Sequence, residues 1–204
     1  MPDPGKIALW IAQLTDSNPE DRAAAACNLR RAAFEHCFSG CNAWIRDLEF
    51  GQFLRAMTAS IPGKSHSESL PFVAGIAVQP QNFERIRRAN GSPRLADVPP
   101  DQDAMEFELH FPDGGIDILT AREPGGSGAI ARYLEKFGEG IQQIEINVTD
   151  VDRATDLLRD KFGLAPIYPG TRAGADGTRV NFFLAPAADG KKCLIELVQD
   201  PSTR

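Results

Sequence analysis

The sequence predicts an α+β chain, in which an all-α segment at the N-terminus precedes two paired βαβββ modules that curl into one cup. Three observations carry this. Apolar residues recur at helical spacing before Ser60, period-two alternation takes over from Phe72, and the alternating part repeats itself once. The expected boundaries are residues 1–60 for the helical segment, 61–71 for a linker and 72–204 for the two modules.

The helical segment opens with the apolar run Ile7-Ala8-Leu9-Trp10-Ile11. Ser17 or Asn18 is placed to cap a second helix begun by Pro19, and Glu20 and Asp21 favour its positive end. A third helix is expected over residues 42–57, where Trp44, Ile45, Leu48, Phe53 and Leu54 share a stripe. An apolar helix, a turn with Asp and Pro and an alanine-rich helix resemble one HEAT-type hairpin. Its stripes require nothing beyond a small cap or a dimerisation arm, so a homodimer through this arm is an expectation. Residues 61–71 gather Pro, Gly and Ser and read as a linker.

Composition narrows the partners. With a formal net charge of -6 and 42% hydrophobic residues, the 204-residue chain has no basic stripe to neutralise a phosphate backbone, which excludes nucleic acid. Its start lacks a cationic leader, and nothing approaches the ~20 apolar residues of a membrane span, so a cytoplasmic protein with no membrane partner is expected. Cys27, Cys37, Cys41 and Cys193 are sparse and uneven for a disulfide framework, and reduced thiols are expected. Cys37 and Cys41 beside His36 lack the paired spacing of a structural zinc module.

The repeat aligns Phe72 to Val78 with Ile141 to Val148 as opening strands, each followed by a polar turn and an amphipathic helix. Each helix leads to a loop, a strand (Met105 to Phe111; Val180 to Leu184), an Asp-Gly turn (Asp113-Gly114; Asp189-Gly190) and a closing strand, GIDILTA or CLIELVQ. The glycine-rich Pro124 to Gly128 lacks the lysine of a phosphate loop and reads as a crossover between modules. Residues 90–103 and 168–179 are long turn-rich loops expected to rim the cup. Lys191, Lys192 and Arg179 are expected to face water.

Alternation then separates two faces. In the 141–148 strand Gln143, Glu145 and Asn147 share one face, and in the 105–111 strand Glu106, Glu108 and His110 do the same. Glu196 inside Leu194-Ile195-Glu196-Leu197-Val198 and Asp117 inside Ile116-Asp117-Ile118 are lone carboxylates in apolar strands, and an unpaired buried charge is costly. If the polar faces line the concave side of a cup, these groups meet.

FVAGIAV, SGAIARYLEKFGEGIQQIEINVTDVDRA and TRVNFFLAPAADGKKCLIELVQ resemble the vicinal oxygen chelate, or glyoxalase-like, superfamily, and within it the methylmalonyl-CoA epimerase family. The resemblance covers about residues 72 to 199. It implies one divalent metal (Mg²⁺, Mn²⁺, Co²⁺ or Zn²⁺) held from four strand positions, here Val73, Asp117, Gln143 and Glu196. Both expected histidines are absent, Val73 standing at one and Gln142-Gln143 at the other, which leaves Asp117, Gln143 and Glu196 as metal ligands. Such an all-oxygen set favours harder ions. His110 is the residue able to supply a nitrogen.

The resemblance also implies two catalytic carboxylates that exchange a proton on an enolisable substrate, matched here by Glu106 and Glu196. Two functions follow. One is metal-free binding of a small polar or acyl-type ligand, with Glu108, His110, Glu145 and Asn147 among its contacts. The other is a metal-dependent epimerase or lyase that enolises an acyl-CoA or 2-oxo substrate. The binding reading is favoured, because no Lys or Arg stands among the predicted cup residues to stabilise an enolate.

Overall fold

The computed structural model describes residues 3–38, 43–54, 72–112, 114–187 and 192–203. The expected linker at 61–71, Cys41, the Asp189-Gly190 turn and Lys191 lie outside the described residues. Helix α1 spans Pro4–Gln13 and starts where Asp3 Oδ1 accepts the Gly5 N–H at 2.9 Å. Helix α2 spans Pro19–Phe38. Asn18, not Ser17, supplies its cap, accepting the Glu20 N–H at 3.0 Å.

The single third helix expected over residues 42–57 is instead two short pieces: a 3-10 turn at Ala43–Arg46 and helix α3 at Leu48–Gly51. Asp47 is the reason. Its backbone is extended, at ψ 131°, and its Oδ1 accepts the N–H groups of Glu49 at 3.1 Å and Phe50 at 3.2 Å, which starts a new helix rather than continuing an old one.

Strand β1 is Phe72–Ala77, followed by α4 (Pro80–Ala89), β2 (Ala104–Phe111) and β3 (Gly114–Ala121). Helix α5 (Ala129–Phe137) crosses to β4 (Gly140–Asn147), α6 (Val151–Phe162), β5 (Arg172–Ala173), β6 (Arg179–Pro186) and β7 (Lys192–Gln199). These strands form one curled mixed sheet in the order β2-β3-β1-β4-β7-β6-β5. β1 runs parallel to β3 and β4 parallel to β7, while β1 and β4 pair antiparallel at the seam between modules. The second module is βαβββ and the first is βαββ. Where β5 would have its counterpart, the loop at 90–103 makes a single backbone bond to β2, Ala96 N–H to Glu106 O at 3.0 Å.

Alternation sorts the sheet faces as the sequence predicts. Ile76, Phe107, Ile118, Ile144, Ile195 and Leu197 point to one side and are fully or almost fully buried. They join one core with Ile11, Leu29, Phe83 and Leu158 from α1, α2, α4 and α6. Each such side chain contributes about 1.5–3 kcal/mol relative to exposure. Helix α5 packs on the opposite face through Ile130, Ala131 and Leu134, against Ala77, Leu119 and Ala121 at one end of the sheet. Among the described residues, no helix is long and apolar enough to cross a membrane.

Cys37 and Cys193 form a disulfide, with Cα atoms 5.6 Å apart. This overturns the expectation of reduced thiols for that pair. The end of α2 lies on β7, a proximity that positions 156 residues apart cannot reveal.

Candidate functional site

The polar face of the sheet lines a cavity of about 780 Å³, within the range of small-molecule sites. Glu106 and Glu108 of β2, Asp117 of β3, Gln143 and Glu145 of β4 and Glu196 of β7 all border it. Strand register brings them together. Glu108 pairs with Asp117 across β2 and β3, and Glu145 pairs with Glu196 across β4 and β7. Gln143 Nε2 donates to Glu196 Oε2 at 2.5 Å, and a hydrogen bond links Asp117 to Glu145.

Two local features of the seam make this arrangement fit. The β1–β4 register shifts after Gly75, so that Ile76 faces Ile141 while Gly75 faces Gln143, and Gln142 is the extra residue of a bulge. Neighbouring glutamines therefore both border the cavity, which strict alternation forbids. Gly75 is the second feature. A Cβ there would sit 2.6 Å from Gln143 Cγ and 2.9 Å from Leu119 Cδ1, so only glycine lets Gln143 lie across β1.

Burial sets the charge state of the cluster. It lifts Glu106 to about 7, helped by the charges of Glu145 and Asp176. It also lifts Glu145 to about 7, against hydrogen bonds from Asp117 and Asn147 that favour the ionised form. Asp117 and Glu196 are driven well above the usual carboxylate range by burial and then by the Glu145 charge. Burial raises both members of the hydrogen-bonded pair Asp117 and Glu145. Glu108 is raised by burial against the charges of His110 and Arg30.

Other predicted residues fall at the edge or outside. His110 borders the cavity but its side chain is 79% exposed, with Nδ1 3.4 Å from Glu108 Oε1. Asn147 does not border it and reaches it through Glu145, whose Oε1 accepts its Nδ2 at 3.3 Å. Val73 pairs with Glu145 in β1 and contributes no wall. Arg179 turns away to Asp152 at 2.7 Å and Thr171 at 2.8 Å.

The rim holds residues that sequence reasoning missed. Arg94, Arg132 and Arg172 border the cavity, as do Ser127, Gly128 and Ala129 at the start of α5. Arg94 makes a two-pronged contact with Asp176, at 2.9 and 2.6 Å, and Arg172 pairs with Asp101 while stacking 4.3 Å from the centre of the Tyr168 ring. Asp97 N–H to Asp176 Oδ1 at 2.9 Å and Gln102 Nε2 to Ala173 O at 2.9 Å complete a tie between the loops of the two modules. Turn composition marks these loops as a rim, yet it cannot show which arginine meets which aspartate.

The donors do not fit the ion that the resemblance implies. Among the described residues, no three His, Cys, Asp or Glu side chains are grouped to hold a metal. Glu196 accepts the Gln143 amide, Asp117 bonds Glu145, and the fourth corner is the hydrocarbon of Val73.

No protein-family model matches the chain, and no curated protein sequence does. Solved structures do. The chain is 30% identical to methylmalonyl-CoA epimerase from Mycobacterium tuberculosis, covering 72% of this chain and 95% of that one with a TM-score of 0.53. A variant of the Streptomyces coelicolor epimerase in complex with 2-nitronate-propionyl-CoA is 26% identical, covering 65% of this chain and 99% of that one with a TM-score of 0.52. A methylmalonyl-CoA epimerase in complex with methylmalonyl-CoA and NH4+ is 27% identical, covering 67% and 99% with a TM-score of 0.53. At 30% identity over 72% of its own length and 95% of the Mycobacterium tuberculosis enzyme, the chain belongs to the methylmalonyl-CoA epimerase family of the vicinal oxygen chelate (glyoxalase-like) superfamily.

Proposed function

We propose that the cup receives the acyl end of a coenzyme A-type thioester and exchanges the acidic proton beside its carbonyl, as an epimerase-type isomerase. The observation that carries this is the pair of carboxylates Glu106 and Glu196 on the wall of one cavity, both made more basic by burial. Glu106, lifted to about 7, is poised as a base near neutral pH, and Glu196, raised well above the usual carboxylate range by burial, is the partner that returns a proton. In the forward step Glu106 takes the proton from the substrate carbon and the electron pair moves onto the thioester oxygen. Asp117, which has one proton to give, turns it from Glu145 to that enolate oxygen when the acyl group enters. Glu196 then delivers its proton to the carbon, and exchange with water restores both groups.

Arg94, Arg132 and Arg172 stand at the mouth as guanidinium donors for a polyanionic carrier, Arg94 and Arg172 by exchanging their Asp176 and Asp101 partners, while the acyl group occupies the floor. One observation favours a second reading, metal-free binding without turnover: among the described residues the floor bears five carboxyl groups and no cation, leaving a developing enolate with hydrogen bonds alone. The two readings are separated by mixing the protein with one epimer of methylmalonyl-CoA and following stereochemical scrambling beside calorimetric binding. Scrambling that Glu106→Gln lowers at least 100-fold, with binding retained, is the expected result. Binding without scrambling leaves the second reading, and no binding removes both.

A further inference from the structure

The cup is one side of the sheet, and the other side carries an equally specific arrangement. Helix α4 covers β3, and α6 covers β6 and β7, so each module's own helix shields its own strands. The seam strands β1 and β4 lie between those helices. Their back is apolar, with Ala74 and Ile76 on β1 and Ile144 and Ile146 on β4 all fully buried. What covers them is the N-terminal hairpin: α1 touches β4, and α2 touches β1, β2, β3, β4 and β7.

This cover is built in with more than apolar contact. Arg30 of α2 reaches across the ends of β1 and β3, its Nη1 donating to Phe72 O at 2.5 Å and Gly115 O at 2.8 Å while its guanidinium lies 4.2 Å from the centre of the Phe72 ring. Gly114, at φ 124°, leaves the space that Arg30 fills. Asn90, at the end of α4, binds the hairpin turn through Leu14 O at 3.0 Å and accepts Arg22 Nε at 3.2 Å. The Cys37–Cys193 bond fixes the far end of α2 to β7.

The solved epimerases are matched over 95–99% of their length by 65–72% of this chain. The share of this chain left unmatched is 28–35%. A two-module chain without such a hairpin leaves its seam bare, and an apolar strip of that kind drives association. We infer that the α1–α2 hairpin is a built-in substitute for a second subunit: it fills the seam behind the cup, and the protein works as a monomer. The outward side of the hairpin agrees with this, since Lys6, Glu20, Asp21 and Arg31 are exposed there and its exposed large apolar residues are Leu9 and Phe34. Phe34 is itself engaged by Phe38 and Phe72, at 5.2 and 5.7 Å between ring centres.

The test needs no ligand, so its outcome is separable from that of the proton-exchange reading. Sedimentation equilibrium of the full chain, oxidised, at micromolar concentration is expected to give the mass of one chain, and a stable two-chain mass overturns the inference. A second arm loosens the hairpin with Arg30→Ala and Cys37→Ser together and follows mass and amide hydrogen exchange. The expected result is at least tenfold faster exchange in β1 and β4 and a concentration-dependent doubling of mass. A folded variant that stays monomeric with unchanged β1 and β4 exchange overturns the inference, and if the variant does not fold, the mass of the parent chain still decides.

Discussion

Glu106, the base of the proposed exchange, carries a cost to the fold. Its folded-state value of about 7 stands above the 4.5 of an unburdened glutamate, because burial penalises the charge. Below pH 4.5 it is protonated whether the chain is folded or not, so it does not affect stability. Between 4.5 and 7 the folded protein keeps a proton that the unfolded chain gives up, and stability falls as pH rises; above 7 the cost is complete, at most about 3 kcal/mol. Glu106→Gln is therefore expected to unfold at higher urea than the parent at pH 8 and at the same urea at pH 4, although it loses proton exchange. Equal midpoints at both values contradict the assignment. The residue itself was legible in the sequence from alternation alone. Its charge state was not, because that depends on Glu145 and Asp176, which come near only in the folded cup.

At the scale of elements, period two was the most informative signal. Strands β1 to β4, β6 and β7 begin and end within a residue or two of the expected limits, because one apolar face had to be buried and a slip of one residue would have exposed it. Two departures have local causes. Asp47 broke a helix that the apolar stripe alone had joined, although an aspartate before Leu48-Glu49 is itself a start signal. The bulge at Gln142 broke alternation at the site, and its partner signal was Gly75 on the facing strand. Gly75→Ala is accordingly expected to lower stability by about 1–3 kcal/mol, because a methyl must displace Gln143 or Leu119. Gly51→Ala, where a Cβ meets nothing within 4 Å, is the control and is expected to be neutral or mildly stabilising. Thermal unfolding of the two variants checks this, and equal midpoints contradict the packing argument.

At the scale of the whole molecule, long-range pairings were hidden. The disulfide joins positions 156 residues apart, and the rim ties join loops from separate modules. Those ties bring to the rim guanidinium groups that the predicted cup lacked, paired with Asp176 and Asp101. Arg94→Ala and Arg172→Ala are each expected to weaken binding of a coenzyme A thioester several-fold at low salt and to flatten its salt dependence, with less effect on a short acyl thioester that lacks phosphates. Calorimetric titration at two ionic strengths checks this, and equal losses for both ligands contradict it.

In the proposed exchange this cup moves a proton on carbon without a chelated ion at its floor. The most direct measurement is proton NMR of methylmalonyl-CoA with metal-free protein in heavy water, comparing the parent with Glu106→Gln and Glu196→Gln. Deuterium uptake is expected at the carbon between the two carbonyl groups for the parent, reduced about 10²-fold or more in each variant. A signal that persists unexchanged while the thioester binds, or uptake that appears only when a divalent ion is added, would contradict it.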